Sequence, residues 1–468
     1  MSKSFTFGVE LEMMVAFVLE GEEKPDSTET RIVVFPSNDE PRDPENESRH
    51  TGEFPPAFYK SRIIAEFKRT IGKGGFPVAS TETDTSGWAV VGDTSLNHPT
   101  DTEEETEDYD WCGIEVKTPA LPFTPQSLQA VKDVCTLIQQ RFKTLQNTTT
   151  GLHVHIGHGK SCFSTHDVSK IMAFIYAFEP QLSSLHPVHR YSHMYGHAMR
   201  HNCNFSQSFQ RRHGVMPSAL MAVTKILTTI ESDMSSTRRE LADLVSSGSC
   251  GKNGNYNFNG LEDRGVNAEV PTLEFRQHEG TMDGELVVQW VQLLVGMLKF
   301  IEDEEYASFA KFLFDTAEKE KWQKVGDEKD AKREASMGPT LADGEFTVID
   351  LLRYIGLNEQ ADYFKDRVHK HDIPPYTVPV LKKVSKELSW EYRKEFEEGV
   401  GMSAEPETND QLRKYFQGFQ GARLAAKMED DGWTLAENSR ARLWSVHSED
   451  SVSVEDSDEI STSLYYRR

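Results

Sequence analysis

Four short segments carry chemically active side chains at the spacing of extended strands. FTFGVELEMMVAF at 5–17 sets Phe7, Val9, Leu11 and Met13 on one face and Gly8, Glu10 and Glu12 on the other. Neighbouring carboxylates repel, and solvation relieves them cheaply only at an edge or a turn. The apolar flanks make this strand central, where hard divalent cations are the usual reason to keep carboxylates together. A solvated polar face on an amphipathic strand would give the same pattern.

GLHVHIG at 151–157 places His153 and His155 on one face, with Leu152, Val154 and Ile156 on the other. Histidines at this spacing are a familiar metal-ligand pair, and zinc would suit them taken alone. In TLEFRQHEG at 272–280 alternation puts Glu274, Arg276 and His278 on one face, just before the apolar helix LVVQWVQLLVGMLKF. A guanidinium beside a metal-binding carboxylate suits a phosphoryl group in transfer. Glu115 stands among apolar neighbours in GIEVKTP at 113–119, and Asp93 follows a strand in GWAVVGDTSL. Each segment alone is weak. A single sheet face collecting four glutamates, histidine and arginine has few structural uses, and the four together point to a shared multi-metal site that handles phosphate.

The elements that must position these residues alternate without strict βαβ order. Strands are expected at Trp88–Val91, Trp111–Val116, Gly151–Gly157 and 270–279, and RIVVF at 31–35 reads as a further one. Helices are expected at Ser127–Phe142, with Ser127 as N-cap, at Thr165–Leu185 and at Glu285–Ile301. The class is α+β, with an antiparallel sheet polar on one face. The chain has no P-loop and no GxGxxG, so a nucleotide site must be built another way.

At 468 residues with 37% hydrophobic content the chain has material for a large core, while a mean hydropathy of −0.56 requires solvated segments as well. Those segments are the acidic insertions at 20–56 and 100–110 and a disordered, Ser-rich acidic tail at 445–468. A catalytic domain spans 1–315, and a Lys/Glu-rich helical extension spans 316–444. A net charge of −24 argues against sequence-independent binding to nucleic acid or an anionic membrane, but not against a small anionic substrate. The five cysteines form no CxxC, the N-terminus lacks a secretory signal, and no apolar run reaches about 20 residues. The expectation is a soluble, cytoplasmic protein with reduced thiols.

FGVELE (7–12), Trp88, Val90, Asp93, Ser95 and Leu96, GIEVKTPAL (113–121), GLHVHIG (151–157) and TLEFRQHEGTMD (272–283) follow one another in order. In these motifs the chain resembles the amidoligase family of the glutamine synthetase-like carboxylate–amine ligase superfamily, a remote relative of glutamate–cysteine ligase. The resemblance implies a curved, mainly antiparallel sheet with helices on its convex side, the concave face binding ATP through two or three Mg²⁺ ions, with Mn²⁺ tolerated. It implies phosphorylation of a small-molecule or peptide carboxylate, then attack by an amine. Glu10, Glu12, Glu115, His155 and Glu274 would be metal ligands, and His153 an outer or nucleotide contact. Arg276 would stabilise the transferring phosphoryl group, and Asp93 would be a metal ligand or the amine-side base. Arg190 and Asn267 would hold substrate, and His186, His189, His193, His197 and His201 would line the cleft as a loop.

Two other functions compete. A zinc-dependent amide hydrolase would use His153 and His155 with Glu274 or Glu279 as base, yet carboxylates outnumber histidines here and an arginine sits among them. A non-catalytic scaffold would show degraded ligand positions, and all of those named are present.

Overall fold

The structure is a computed structural model describing residues 4–19, 21, 24, 26–35, 57–81, 84–97, 99, 109–190, 192–193, 196–213, 217, 219–229, 238–246, 254–261, 271–321 and 347–368. Asn267, the bulk of both acidic insertions, most of the C-terminal extension and the whole tail lie outside the described residues.

The strands are β1 (Thr6–Leu19), β2 (Val33–Phe35), β3 (Ala89–Gly92), β4 (Asp110–Lys117), β5 (Leu121–Pro122), β6 (Thr144–Leu145), β7 (Gly151–Gly157), β8 (Ser192–His193), β9 (Gly196–His197), β10 (Tyr256–Asn257) and β11 (Thr272–Glu279). The helices are α1 (Ala57–Lys73), α2 (Pro125–Arg141), α3 (Thr165–Ser183), α4 (Met199–Asn202), α5 (Asn204–His213), α6 (Ala219–Thr229), α7 (Arg238–Val245), α8 (Gly284–Asp303), α9 (Tyr306–Lys321), α10 (Val348–Tyr354) and α11 (Asn358–Phe364).

Among the described residues all strands except β8 and β9 form one open sheet of nine, whose main path runs β10-β11-β7-β1-β4-β3. Its pairings are antiparallel apart from β1 with β2, which joins RIVVF to the sheet as expected. The class is α+β. The 14-residue β1 is the spine: it pairs along one edge with β4 and β5 and along the other with β7, β6 and β2.

Phe7, Val9, Leu11, Met13, Val15 and Phe17 line the inner face of β1 and join Val154, Ile156 and Phe275 in the main core. Ile63 and Phe67 of α1, Val131 of α2, Ile171 of α3 and Val291 of α8 close that core from above. The outer face changes character along β1. Beyond Glu12 it carries Met14, Ala16 and Val18, which bury a second cluster with Ile32, Leu96 and Trp111. The carboxylates therefore occupy only one half of the outer face.

Helix α2 begins earlier than its apolar stripe suggests. Thr124 is the N-cap and accepts from the Ser127 N–H, with Pro125 in the first turn, where its missing N–H costs nothing. Helix α3 opens with a capping box of Ser164 and Asp167, and α8 with Asp283 accepting from Glu285 and Leu286. By length and composition α8 alone among the described helices could cross a membrane. Ten of its side chains are buried inside the protein, as in a core helix. Cys112, Cys135 and Cys203 are buried and form no disulfide among the described residues.

Candidate functional site

Strand pairing converts the sequence spacing into a grid on the outer face. One rung runs from Asn257 through Glu274 and His155 to Gly8, and the next from Arg276 past His153 and Glu10 to Lys117. A third brings Glu279 opposite Gly151 and Glu12 opposite Glu115. The Gly151 N–H ties the two halves of this rung together, donating to Glu12 Oε2 at 2.6 Å. Four distant segments thus deliver Glu10, Glu12, Glu115, Glu274, His153, His155 and Arg276 to one place.

Strand β11 has a bulge. Phe275 faces Val154 and His278 faces Leu152, so Arg276 and Gln277 together oppose His153. The extra residue reverses the alternation, and His278 turns to the helical face. There it is buried against Trp290 and His186, with ring centroids 5.5 and 5.1 Å away, and burial drives its imidazole down to about 4. The expected triplet of Glu274, Arg276 and His278 on one face is therefore a pair. His186 likewise packs on that helical side rather than lining a cleft loop. The side chains of His193, His197 and His201 are outside the described residues.

Two groups of donors converge within 4.8 Å: Glu10, His153 and Glu274, and Glu12, Glu115 and His153. His153 Nδ1 lies 3.3 Å from Glu10 Oε2, 3.5 Å from Glu12 Oε1 and 3.8 Å from Glu274 Oε1. His155 Nε2 lies 3.4 Å from Glu10 Oε1 and 3.8 Å from Glu274 Oε1, and Nδ1 lies 3.2 Å from Thr272 Oγ1. Sequence reasoning made His155 the ligand and His153 the outer contact, whereas the structure puts His153 at the centre.

Arg276 Nη1 donates to Glu274 Oε1 and lies 3.5 Å from His153 Nδ1, and Asn257 Nδ2 donates to Glu274 Oε2 at 2.7 Å. Lys117 Nζ is 3.1 Å from Glu10 Oε1 and 2.8 Å from Glu115 Oε2.

The electrostatics divide these carboxyls. Burial pushes Glu115 up to about 8, aided by the Glu10 charge and only partly offset by Lys117. Burial also raises Glu12, against the pull of His153. Burial opposes ionisation of Glu10 too, but hydrogen bonds to His153 and His155 and the charge of Lys117 hold it well below the usual range. Glu274 stays low because His155 and Arg276 outweigh its burial. The chain's own cations thus satisfy Glu10 and Glu274 and leave Glu12 and Glu115 under-compensated. Oxygen-rich donors short of positive charge are the set that hard divalent cations such as Mg²⁺ and Mn²⁺ take.

Asp93 closes the turn after β3, its Oδ1 accepting from the N–H and Oγ of Ser95 at 2.7 Å each. Its charge still reaches Glu12 and pushes that carboxyl up. Arg190, on the one-turn helix 188–190, is buried over Gly151. Its Nη1 donates to the Thr150 carbonyl at 3.2 Å and its Nη2 to that of Arg276 at 2.8 Å, which braces the bulge.

Over residues 3–298, well over half of the chain, the sequence matches a protein family described as "Putative amidoligase enzyme". The chain belongs to this amidoligase family. No curated protein matches it. The family carries the name of a ligase that forms amide bonds, and the matched region holds the whole sheet and its carboxylate face.

Sequence reasoning missed three residues of this cluster. Lys117 was visible as the residue two beyond Glu115 on the same strand face. Gly151 was visible only as a glycine opening a strand: a Cβ there would sit 2.6 Å from Arg190 Nη2 and 2.9 Å from His153 Nε2. Asn257 belongs to a two-residue strand, too short for any periodic signal.

Proposed function

We propose that this amidoligase is an ATP-dependent carboxylate–amine ligase working through an acyl phosphate. The observation that carries the proposal is the meeting of two carboxylate-rich donor groups at His153, with the Arg276 guanidinium 3.5 Å from the same imidazole. A nine-stranded sheet with helices on the apolar face and carboxylates on the other suits a glutamine synthetase-like catalytic fold, which we assign as part of the proposal.

A neutral imidazole offers one lone pair, so His153 can serve only one ion at a time. Glu12 and Glu115 would hold one cation with His153, and Glu10 and Glu274 the other with His155. When bound, Mg²⁺ or Mn²⁺ neutralises the triphosphate and makes its terminal phosphorus more electrophilic. Asn257, on one oxygen of Glu274, fixes how that carboxylate is presented.

In the first step a carboxylate oxygen of the acid attacks the γ-phosphorus of ATP, the bond to the bridging oxygen breaks, and ADP leaves. Charge spreads over the equatorial oxygens, and Arg276 supplies the donors that meet it. In the second step the amine nitrogen attacks the acyl carbon, the carbon–oxygen bond to phosphate breaks, and phosphate leaves. The proton released by the amine goes to a base on the acceptor side, a role we give to Asp93. Arg190, with its Nε buried and without a partner among the described residues, is our candidate contact to the acid, and Asn267 a further substrate contact.

The test is phosphate release from ATP with Mg²⁺ against pooled carboxylic acids and amines. Release should require both an acid and an amine and vanish in Arg276→Ala. Release that persists in Arg276→Ala at the wild-type rate would contradict the assignment.

A further inference from the structure

Lys117 takes no part in the steps above, yet it stands between the two donor groups. It lies on the rung that holds Glu10 and follows Glu115 by two residues on β4. Its ammonium contacts one carboxylate from each group, Glu10 Oε1 at 3.1 Å and Glu115 Oε2 at 2.8 Å. About a third of the Lys117 side chain is exposed, whereas Glu115 and Glu12 are buried.

A cation placed between the two groups, beyond the one each group holds, would need the same two oxygens. An ammonium is a compact charge with three donors on a four-carbon stem, able to occupy such a position without leaving the chain. A divalent ion arriving there would have to evict a tethered competitor whose effective concentration is fixed by its own strand.

We infer that Lys117 is a built-in counter-ion standing where a third divalent cation would bind, so that the site takes two ions. The inference rests on the metal-dependent ligase proposed above. It makes Lys117 a positioning residue that sets how many ions the carboxylates accept, and it gives Glu10 and Glu115 a shared partner in the metal-free protein.

The experiment is Mn²⁺ binding to the full chain without nucleotide, followed by the loss of the free-ion EPR signal. Wild type should bind two ions per chain, Lys117→Arg two, and Lys117→Met three. Because losing the ammonium exposes the carboxylates to one another, thermal melting is followed alongside, with Lys117→Gln as a second variant. Both neutral variants should melt below wild type without metal and gain more from Mn²⁺ than wild type does. Three ions in wild type would overturn the inference, as would two in both neutral variants with unchanged affinity. Absence of any Mn²⁺ binding in wild type would instead remove the metal site itself and the ligase proposal with it.

Discussion

Glu12 and Glu115 face each other directly across β1 and β4, both buried, their carboxylates within one donor group. Burial, aided by the Glu10 charge, pushes Glu115 up to about 8, so near neutral pH the chain must protonate this carboxyl to fold, at a cost to stability. Glu115→Gln should therefore raise the melting temperature of the metal-free protein, by about 2–4 °C for each kcal/mol recovered, while abolishing ATP turnover. Glu274→Gln should also abolish turnover but lower the melting temperature, because Arg276 loses its partner. Melting curves and phosphate release on both variants check this opposition.

Stability of the metal-free protein should fall as pH rises from about 4.5 toward 8. Burial pushes Glu179 up to about 7 and Glu115 up to about 8 from an ordinary value of 4.5. The folded state therefore binds more protons than the unfolded chain in this window. Each group's contribution is fully present below 4.5 and lost through its folded value, at up to ~1.4 kcal/mol per pH unit. Glu10 and Glu274, held low, act oppositely below 4.5, and buried His278, driven down to about 4, offsets part of the fall up to about 6.5. Denaturant melts across pH 5–8 should show the decline, and Glu115→Gln should flatten its upper part.

Arg276→Ala should cut turnover by about 10³-fold or more, the scale of an arginine meeting transition-state charge. Arg276→Lys should recover little of it, since a point charge cannot reproduce the fork that reaches both Glu274 and the phosphoryl oxygens. Mn²⁺ binding should survive in both variants. A rate within a few-fold of wild type for Arg276→Ala would remove this residue from the chemistry.

Gly151→Ala should be far more damaging than its size suggests. The added methyl would meet the Arg190 guanidinium and the His153 ring, both held by their surroundings. Overpacking of this kind costs about 1–3 kcal/mol, and here it also displaces the central imidazole. The expected outcome is a folded protein with weakened Mn²⁺ binding. Wild-type affinity would show that His153 is not a ligand.

Most of the face was readable because period-two alternation holds along β1, β4 and β7. FGVELE, GIEVK and GLHVHIG each place their polar residues where the strand pairing puts them. The same rule failed on β11, since nothing in TLEFRQHE marks an inserted residue, and His278 went to the wrong face. Beyond Glu12 the alternation continues, but the outer face turns apolar where Leu96 and Trp111 cover Met14, Ala16 and Val18. The ordering of His153 over His155 depends on register between three strands, which no single segment contains. Thr124 went unseen as a cap because Ser127, also able to cap, lay nearer the apolar stripe.

The most direct test is calorimetric titration of Mg·ATP into the wild-type protein and Glu274→Gln. Binding in the wild type that disappears in the variant, with both proteins folded by circular dichroism, is the expected result. No binding to the folded wild type, or equal binding to both, would contradict a nucleotide site built on these carboxylates.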